Sequence, residues 1–417
     1  MRVEILTCGT ELLTGAAVDT NSAYLSTELT RLGALPSRHT SVADDLPEFI
    51  AALREACGRS EVLIVTGGLG PTLDDLTREA FAQLAGAPLE MNAEALASIE
   101  AFFSKLGRPM VESNRVQALF PRGAGMLLNH WGTAPGLRLR VGQTTLFALP
   151  GVPREMREMF AAYVAPYVVE QVGPAGIALR IVRTYGAGES NVAEQIADLM
   201  RSGRNPAVGT TASEGVITVR IVAQAPTAAE AARMADADQA AVTTRLGKLV
   251  YGLGEDTLAT AVARQLLQRQ LTLATAESCT GGLIAKQLTD VPGSSAFYLS
   301  GHITYSNAAK TAELGVDETL LARHGAVSAE VARAMAEGCR IIANADYALS
   351  CTGIAGPSGG TPEKPVGLVY LGLASRDGSA VHEQRYSERL NREAIRDRAA
   401  KTALNMLRLK LTETIIR

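Results

Sequence analysis

Glu61-Val62-Leu63-Ile64-Val65-Thr66, closed at once by Gly67-Gly68, limits the fold more than any other stretch of this chain. A short, continuous apolar run of β-branched residues ending in glycines reads as a strand buried on both faces. Such a strand needs helices above and below it, and the flanking sequence supplies their pattern. Val3 to Thr7 is another short apolar run, residues 20–32 have helical spacing with Asp19 or Thr20 as the cap, and Pro47 to Ala56 is a second helix. Helices follow at roughly 72–85 and 93–106, then a strand at Thr144 to Leu149. This alternation predicts a parallel or mixed sheet with helices on both faces, and ligands in the loops at the carboxyl ends of its strands.

Around 170–250 the texture changes. Strands Ile181 to Tyr185 and Val216 to Ala223 flank a helix at 189–201, and an Ala-rich helix covers 227–246. A β-α-β-β-α unit this small has little volume for a catalytic pocket and reads as a connecting domain. From Asp256 the α/β texture returns, with strands near 271–275, 301–305, 346–351 and 367–374 and helices near 257–269, 281–289, 328–343 and 391–412. The expected fold class is α/β: two α/β sandwich domains with mostly parallel sheets, over 1–168 and 253–417, joined by a small α+β domain over 169–252.

Composition removes several functions. A net charge of -3 without a long basic run leaves no electrostatic footprint for nucleic acid. No stretch has the roughly 18 uninterrupted apolar residues of a membrane span. The amino terminus already reads as a strand of the fold and not as a signal peptide. Five cysteines, at 8, 57, 279, 339 and 351, are scattered without CxxC spacing, which argues for reduced thiols in a cytoplasmic protein and against disulfides or a zinc site.

Two constellations carry chemistry. In the first, Gly67-Gly68-Leu69-Gly70-Pro71-Thr72 follows the buried strand, and Leu73-Asp74-Asp75-Leu76-Thr77 opens a helix. Such a loop offers inward N–H groups to phosphate, and Asp74 and Asp75 suit a divalent metal bridging phosphate oxygens. The same aspartates also serve simply as helix caps. The pattern is neither a Walker loop nor the dinucleotide fingerprint.

In the second, Ala276-Glu277-Ser278-Cys279-Thr280-Gly281-Gly282 sits between a strand-like and a helix-like run. A hydroxyl, a thiol, a glycine pair and a helix N-terminus fall together there, which suits a nucleophile beside an oxyanion site; a plain capped turn with Cys279 as filler is the other reading. Thr304-Tyr305-Ser306-Asn307-Ala308-Ala309-Lys310 offers Lys310 as a base if burial lowers its pKa, though a solvated lysine fits as well. Tyr305 is able to relay a proton or bond Lys310, or is a half-buried strand tyrosine. Cys279 is the rival nucleophile, with His302 and His324 as its available partners. Arg392 reads as a phosphate clamp or a surface arginine.

Gly9-Thr10-Glu11-Leu12-Leu13, Asp19-Thr20-Asn21, Thr66 to Thr77, Gly132-Thr133-Ala134-Pro135-Gly136 and Leu149-Pro150-Gly151-Val152-Pro153 together resemble the amino-terminal half of the CinA family (competence/damage-inducible protein A). That half is similar to molybdopterin-binding domains of the MoaB/MogA type. Ala276 to Gly282, Gly293-Ser294-Ser295, Thr304 to Lys310, His324 to Ser328 and Thr352-Gly353-Ile354-Ala355-Gly356-Pro357 resemble the family's other half, a PncC-type nicotinamide mononucleotide (NMN) deamidase domain. The resemblance covers nearly the whole chain and makes the connecting domain KH-like.

The resemblance implies a pyridine-nucleotide salvage enzyme that hydrolyses NMN to nicotinate mononucleotide and ammonia without a cofactor. Ser278 would be the nucleophile, with Lys310 and Tyr305 beside it, and Thr280, Gly281, Gly282, Asn307, Thr352, Gly353 and Arg392 would hold substrate. It implies a metal-dependent ADP-ribose pyrophosphatase in the first domain, with Asp75 on a Mg or Co type ion. Thr10, Glu11, Asn21, Gly67, Gly68, Gly70, Thr72 and Asp74 would lie around that substrate. Where the family usually reads Asn-Arg-Lys-Gln this chain has Asn114-Arg115-Val116-Gln117, which removes a cation that could have faced phosphate. A homodimer is implied, with nucleotides as the partners. A molybdopterin-related enzyme and a non-catalytic partner protein in DNA uptake or repair are the alternatives.

Overall fold

The computed structural model describes residues 1–173 and 176–413. They form two compact units, Met1–Leu179 with Val222–Ala235, and Arg180–Ile221 with the chain from Asp236 onward.

In the first unit six strands, β1 (Val3–Cys8), β2 (Pro36–Val42), β3 (Val62–Thr66), β4 (Gly125–Leu127), β5 (Gly136–Val141) and β6 (Thr144–Leu149), form one sheet in the order β2-β1-β3-β6-β5-β4. The pairings β1–β2, β1–β3 and β3–β6 are parallel; the last two are antiparallel. The double burial expected of 62–66 is met residue by residue. Leu63 and Val65 enter a core with Phe49, Leu53 and Phe81, while Val62 and Ile64 enter another with Leu25, Met156 and Phe160. Side chains that alternate with period two cannot do otherwise when both faces are covered. The covering helices start where their capping residues stand: Asp19 accepts from Ser22 N at α1 (Thr20–Arg31), Asp45 from Glu48 N at α2 (Leu46–Cys57).

One expectation fails here. The helix expected from about 72 begins only at Thr77, as α3 (Thr77–Ala85). Residues 67–76 are held as a loop because the Asp75 carboxylate accepts from Gly70 N, Thr72 N and Thr72 Oγ1, a local side-chain closure that competes with a helical turn.

The middle segment contributes β7 (Gly176–Tyr185), α4 (Glu189–Gln195), β8 (Ala207–Ser213), β9 (Val216–Ala225), α5 (Ala228–Leu246) and β10 (Val250–Leu253), with the strands ordered β8-β9-β7-β10. The helix expected over 189–201 stops at Gln195 and continues only as turns.

In the carboxy-terminal domain a five-stranded sheet runs β12-β11-β13-β14-β15, from β11 (Leu273–Glu277), β12 (Tyr298–Ile303), β13 (Tyr347–Gly353), β14 (Leu368–Ser375) and β15 (Gly378–Arg385). Two of its pairings are parallel and two antiparallel, because the last three strands form a meander. Leu273, Leu349 and Cys351 pack on one face beneath α9 (Arg392–Glu413), and Ala274, Ala276 and Ala348 on the other against α8 (Ala329–Ala343). Ahead of α8 in the chain come α6 (Leu283–Thr289) and α7 (Asn307–Leu314). The second of these was not expected: Thr304 to Lys310 does not end a strand but leaves β12 at Ile303 and enters α7, capped by Ser306 Oγ accepting from Ala309 N. No helix among the described residues is long and apolar enough to cross a membrane.

Candidate active sites

β11 ends at Glu277 and the chain turns through Ser278–Gly281, closed by Gly281 N donating to Ser278 O at 3.1 Å. Gly281 and Gly282 both take positive φ, 58° and 92°, the region that only glycine enters freely. Ser278 is half-buried with its N–H donating to Cys351 O. Its Oγ lies 3.2 Å from Lys310 Nζ, which also donates to Thr304 O at 2.8 Å. Lys310, on the first turns of α7, is only 1% exposed. Burial holds its pKa below the ordinary lysine value, with the neighbouring Cys279 acting weakly the other way.

The helix N-terminus behind this turn is not the free anion site that the sequence suggests. Glu277, 1% exposed, fills it: its carboxylate accepts from Gly282 N at 3.0 Å, Ile284 N at 3.1 Å and Ala285 N at 2.8 Å. The N–H groups of Cys279 and Thr280, the central residues of the turn, have no partner among the described residues; Thr280 is fully buried and Cys279 is 6% exposed. On the other side Arg396 of α9 donates to Cys279 O at 3.1 Å and to Thr280 O at 2.6 Å. Sequence reasoning missed both Glu277 and Arg396. Arg396 had a legible signal, one helical turn beyond Arg392 on the same helix.

The other expected residues divide. Tyr305 is 61% exposed and its hydroxyl accepts from Arg392 Nη2 at 2.7 Å, so it bonds this arginine and not Lys310. Arg392 also donates to Gly356 O at 2.8 Å, beside a hollow of about 410 Å³ lined by Gly356, Pro357, Glu388 and Asn391. Asn307 is exposed at the start of α7. Thr352, at the end of β13 with Gly353, is buried with its hydroxyl donating to Ala326 O. Cys279 has no histidine partner: its sulfur lies 3.4 Å from Cys351 Sγ, while His302 pairs with Glu313 and His324 with Glu330.

In the first unit a cavity of about 610 Å³ opens at the ends of β1, β3 and β6. Gly67, Gly68, Gly70, Asp74, Asp75, Glu11 and Asn21 line it; Thr10 and Thr72 do not. Thr10 exchanges bonds with Asp44 instead. Six carboxylates, Glu11, Asp19, Asp44, Asp74, Asp75 and Glu155, reach this cavity, with no lysine or arginine among its described lining residues. Gly67 sits at φ 100°, where a side chain would run into Cys8 O. Not all the loop N–H groups face inward: Gly67 donates to Leu149 O, Gly70 and Thr72 to Asp75. Arg78, 5% exposed, supports the loop from beneath by donating to Leu69 O and Gly70 O, and burial pushes its pKa down to about 10. Asn21 Oδ1 is buried on the lining with no partner among the described residues, while its amide donates to Thr66 Oγ1 and Gly151 O. Val116 is 36% exposed and outside the lining, next in sequence to Gln117, which lines it.

Three family models match successive parts of the chain. Residues 4–170 match the family described as "Probable molybdopterin binding domain", 179–252 "Damage-inducible protein CinA KH domain", and 255–411 "CinA C-terminal domain". A "CinA-like protein" of Geobacter sulfurreducens is 44% identical over 412 residues, 99% of each chain, and one of Dictyoglomus thermophilum 43% over 408 residues, 98% of each. Among solved structures, the competence/damage inducible protein CihA from Agrobacterium tumefaciens is 46% identical, covering 37% of this chain and 93% of its own, with a TM-score of 0.36.

Proposed function

The chain belongs to the CinA family, and on that premise we propose that its carboxy-terminal domain hydrolyses the carboxamide of NMN to nicotinate mononucleotide and ammonia. The observation that carries this reading is the buried Lys310 amine 3.2 Å from Ser278 Oγ. A neutral amine there donates to Thr304 O and keeps its lone pair for the Ser278 hydroxyl proton. Ser278 Oγ then attacks the carboxamide carbon, and the oxygen's developing charge meets the unpartnered N–H of Cys279. Collapse expels ammonia with the proton carried by Lys310, and water, activated by the same amine, cleaves the acyl-serine. Arg392, exposed at the rim beside Tyr305, is the group suited to the substrate phosphate. Ammonia release from NMN without added metal tests the reading. Ser278→Ala should lower kcat by several orders of magnitude while Cys279→Ala keeps most activity; a dead Cys279 variant with a working Ser278 variant would reverse the assignment.

For the first unit we propose metal-dependent hydrolysis of ADP-ribose. Six carboxylates without a lining cation would repel a diphosphate, so such a ligand needs divalent cations of the Mg or Co type to accompany it. No three acidic, histidine or cysteine side chains among the described residues converge on one metal position. The donor set therefore fits an ion held by one or two carboxylates and the phosphates themselves. Asp74 and Glu11 are exposed for that contact, with Asp75 fixing the loop behind them. The ion would offset phosphate charge and acidify the attacking water. Calorimetry with ADP-ribose or AMP, with and without the cation, tests this, and no binding in either condition would leave the unit a scaffold.

A further inference from the structure

We infer that Arg396 is a positioning residue of the amidase site, fixing the turn whose Cys279 N–H receives the oxyanion. The inference rests on the serine-nucleophile reading above. Arg396 touches neither nucleophile nor base; its guanidinium bonds two consecutive backbone carbonyls, Cys279 O at 3.1 Å and Thr280 O at 2.6 Å.

In a planar trans peptide the C=O and the following N–H point in opposite directions. Pulling Cys279 O toward α9 therefore turns Thr280 N–H away from α9. Pulling Thr280 O the same way sets the next peptide, whose Gly281 N–H closes the turn onto Ser278 O. With Ser278 O so engaged, Cys279 N–H points outward as well. One rigid fork thus holds the turn that presents Cys279 N–H, with Thr280 buried behind it, a geometry that a flexible ammonium does not reproduce. Gly281 belongs to the same device: a Cβ there would stand 3.2 Å from the Arg396 Nη2, and its φ of 58° admits glycine without strain.

Donors held in advance of the reaction act on the transition state and not on substrate binding, so the effect falls on kcat. The test compares the full-length wild type with Arg396→Met and Arg396→Lys. Each is treated with a fluorophosphonate: Ser278 Oγ bonds to phosphorus, fluoride leaves, and the hydroxyl proton passes to Lys310. The adduct on Ser278 is timed by mass spectrometry, thermal melting checks the fold, and kcat and KM for NMN are measured in parallel.

Loss of a well-placed oxyanion donor slows reaction by about 10²–10³-fold, so Arg396→Met should label roughly 100-fold more slowly and lose a similar factor in kcat, with KM within about threefold. Arg396→Lys should fall between, since a lysine reaches one carbonyl. Labelling within about threefold of wild type in both variants overturns the inference, as does a full-rate lysine variant beside a dead methionine one. A wild type that forms no adduct at Ser278 overturns the nucleophile reading and this inference together. A wild type that labels at Ser278 yet releases no ammonia from NMN refutes only the substrate, and the labelling rates still decide the role of Arg396.

Discussion

Glu277→Gln changes one atom of a buried carboxylate without changing its shape, so its effect can be worked from the bonds around it. Oε2 accepts from Gly282 N and Ile284 N, and Oε1 from Ala285 N. A glutamine keeps at best the first pair, now with a neutral acceptor, and sets an NH₂ donor against Ala285 N–H. The variant loses a charge-assisted bond worth about 1.5–3 kcal/mol and leaves a buried donor unsatisfied, together about 3 kcal/mol after allowing for overlap. The favourable placement of negative charge at a helix start is lost as well. At about 2–4 °C per kcal/mol for a unit of this size, the transition should fall by roughly 6–12 °C. Differential scanning calorimetry of the full chain measures this, the transition that moves belonging to the second unit. A shift of under about 2 °C would refute the claim that this carboxylate holds the helix start.

Lys310→Met should abolish ammonia release and stabilise the fold at neutral pH. Burial lowers the folded pKa of Lys310 below its unfolded value of 10.5, so the unfolded chain binds more protons between the two and stability rises with pH through that window. The gain in the methionine variant is therefore full below the folded pKa and disappears as pH approaches 10.5; urea titrations across that range check it, and a pH-independent gain would contradict it. Arg392→Met should raise KM for NMN with little change in kcat, and Tyr305→Phe should follow it, because Tyr305 bonds Arg392 and not Lys310; a collapse of kcat in the phenylalanine variant would return Tyr305 to proton transfer. In the first unit, Asp75→Asn should remove ADP-ribose hydrolysis and leave NMN deamidation unchanged, measured side by side on one preparation. Val116→Lys, beside the lining residue Gln117, adds a cation next to a cavity that has none among its described lining and should raise the rate of that hydrolysis; an unchanged rate would show that this position does not face the substrate.

The strands with continuous apolar runs were legible because burial on both faces leaves a local signature: Thr144–Leu149 was read to the residue and Val62–Thr66 to within one. The start of α3 was not, since Asp75 bonds backward into its own loop and cancels a pattern that otherwise reads as helix. Lys310 was legible as a candidate base, yet the α7 helix that carries it was not, because its eight residues contribute too short a period to register. Glu277 and Arg78 lay outside sequence reach for a different reason. Each is a buried charge satisfied by backbone groups, and backbone partners leave no complementary residue in the sequence to find. Arg396 is legible by its place one helical turn beyond Arg392, but its partners are not, because it meets them across 117 residues, a separation that no local pattern spans.

That separation bears on how the protein is made. The nucleophile turn leaves the ribosome long before α9 exists, and the sheet beneath it can pair while Cys279 O and Thr280 O still face water. α9 also covers the sheet face that carries Leu273, Leu349 and Cys351, and domains fold largely as units as they are synthesised, so neither the turn nor the core is finished before this helix has left the ribosome. The carbonyls of Cys279 and Thr280 gain their partner only when the helix carrying Arg396 docks. A protease that clips α9 from the finished protein would take away both the fork on Cys279 O and Thr280 O and the cover over Leu273, Leu349 and Cys351, so the turn and the core beneath it would be lost together.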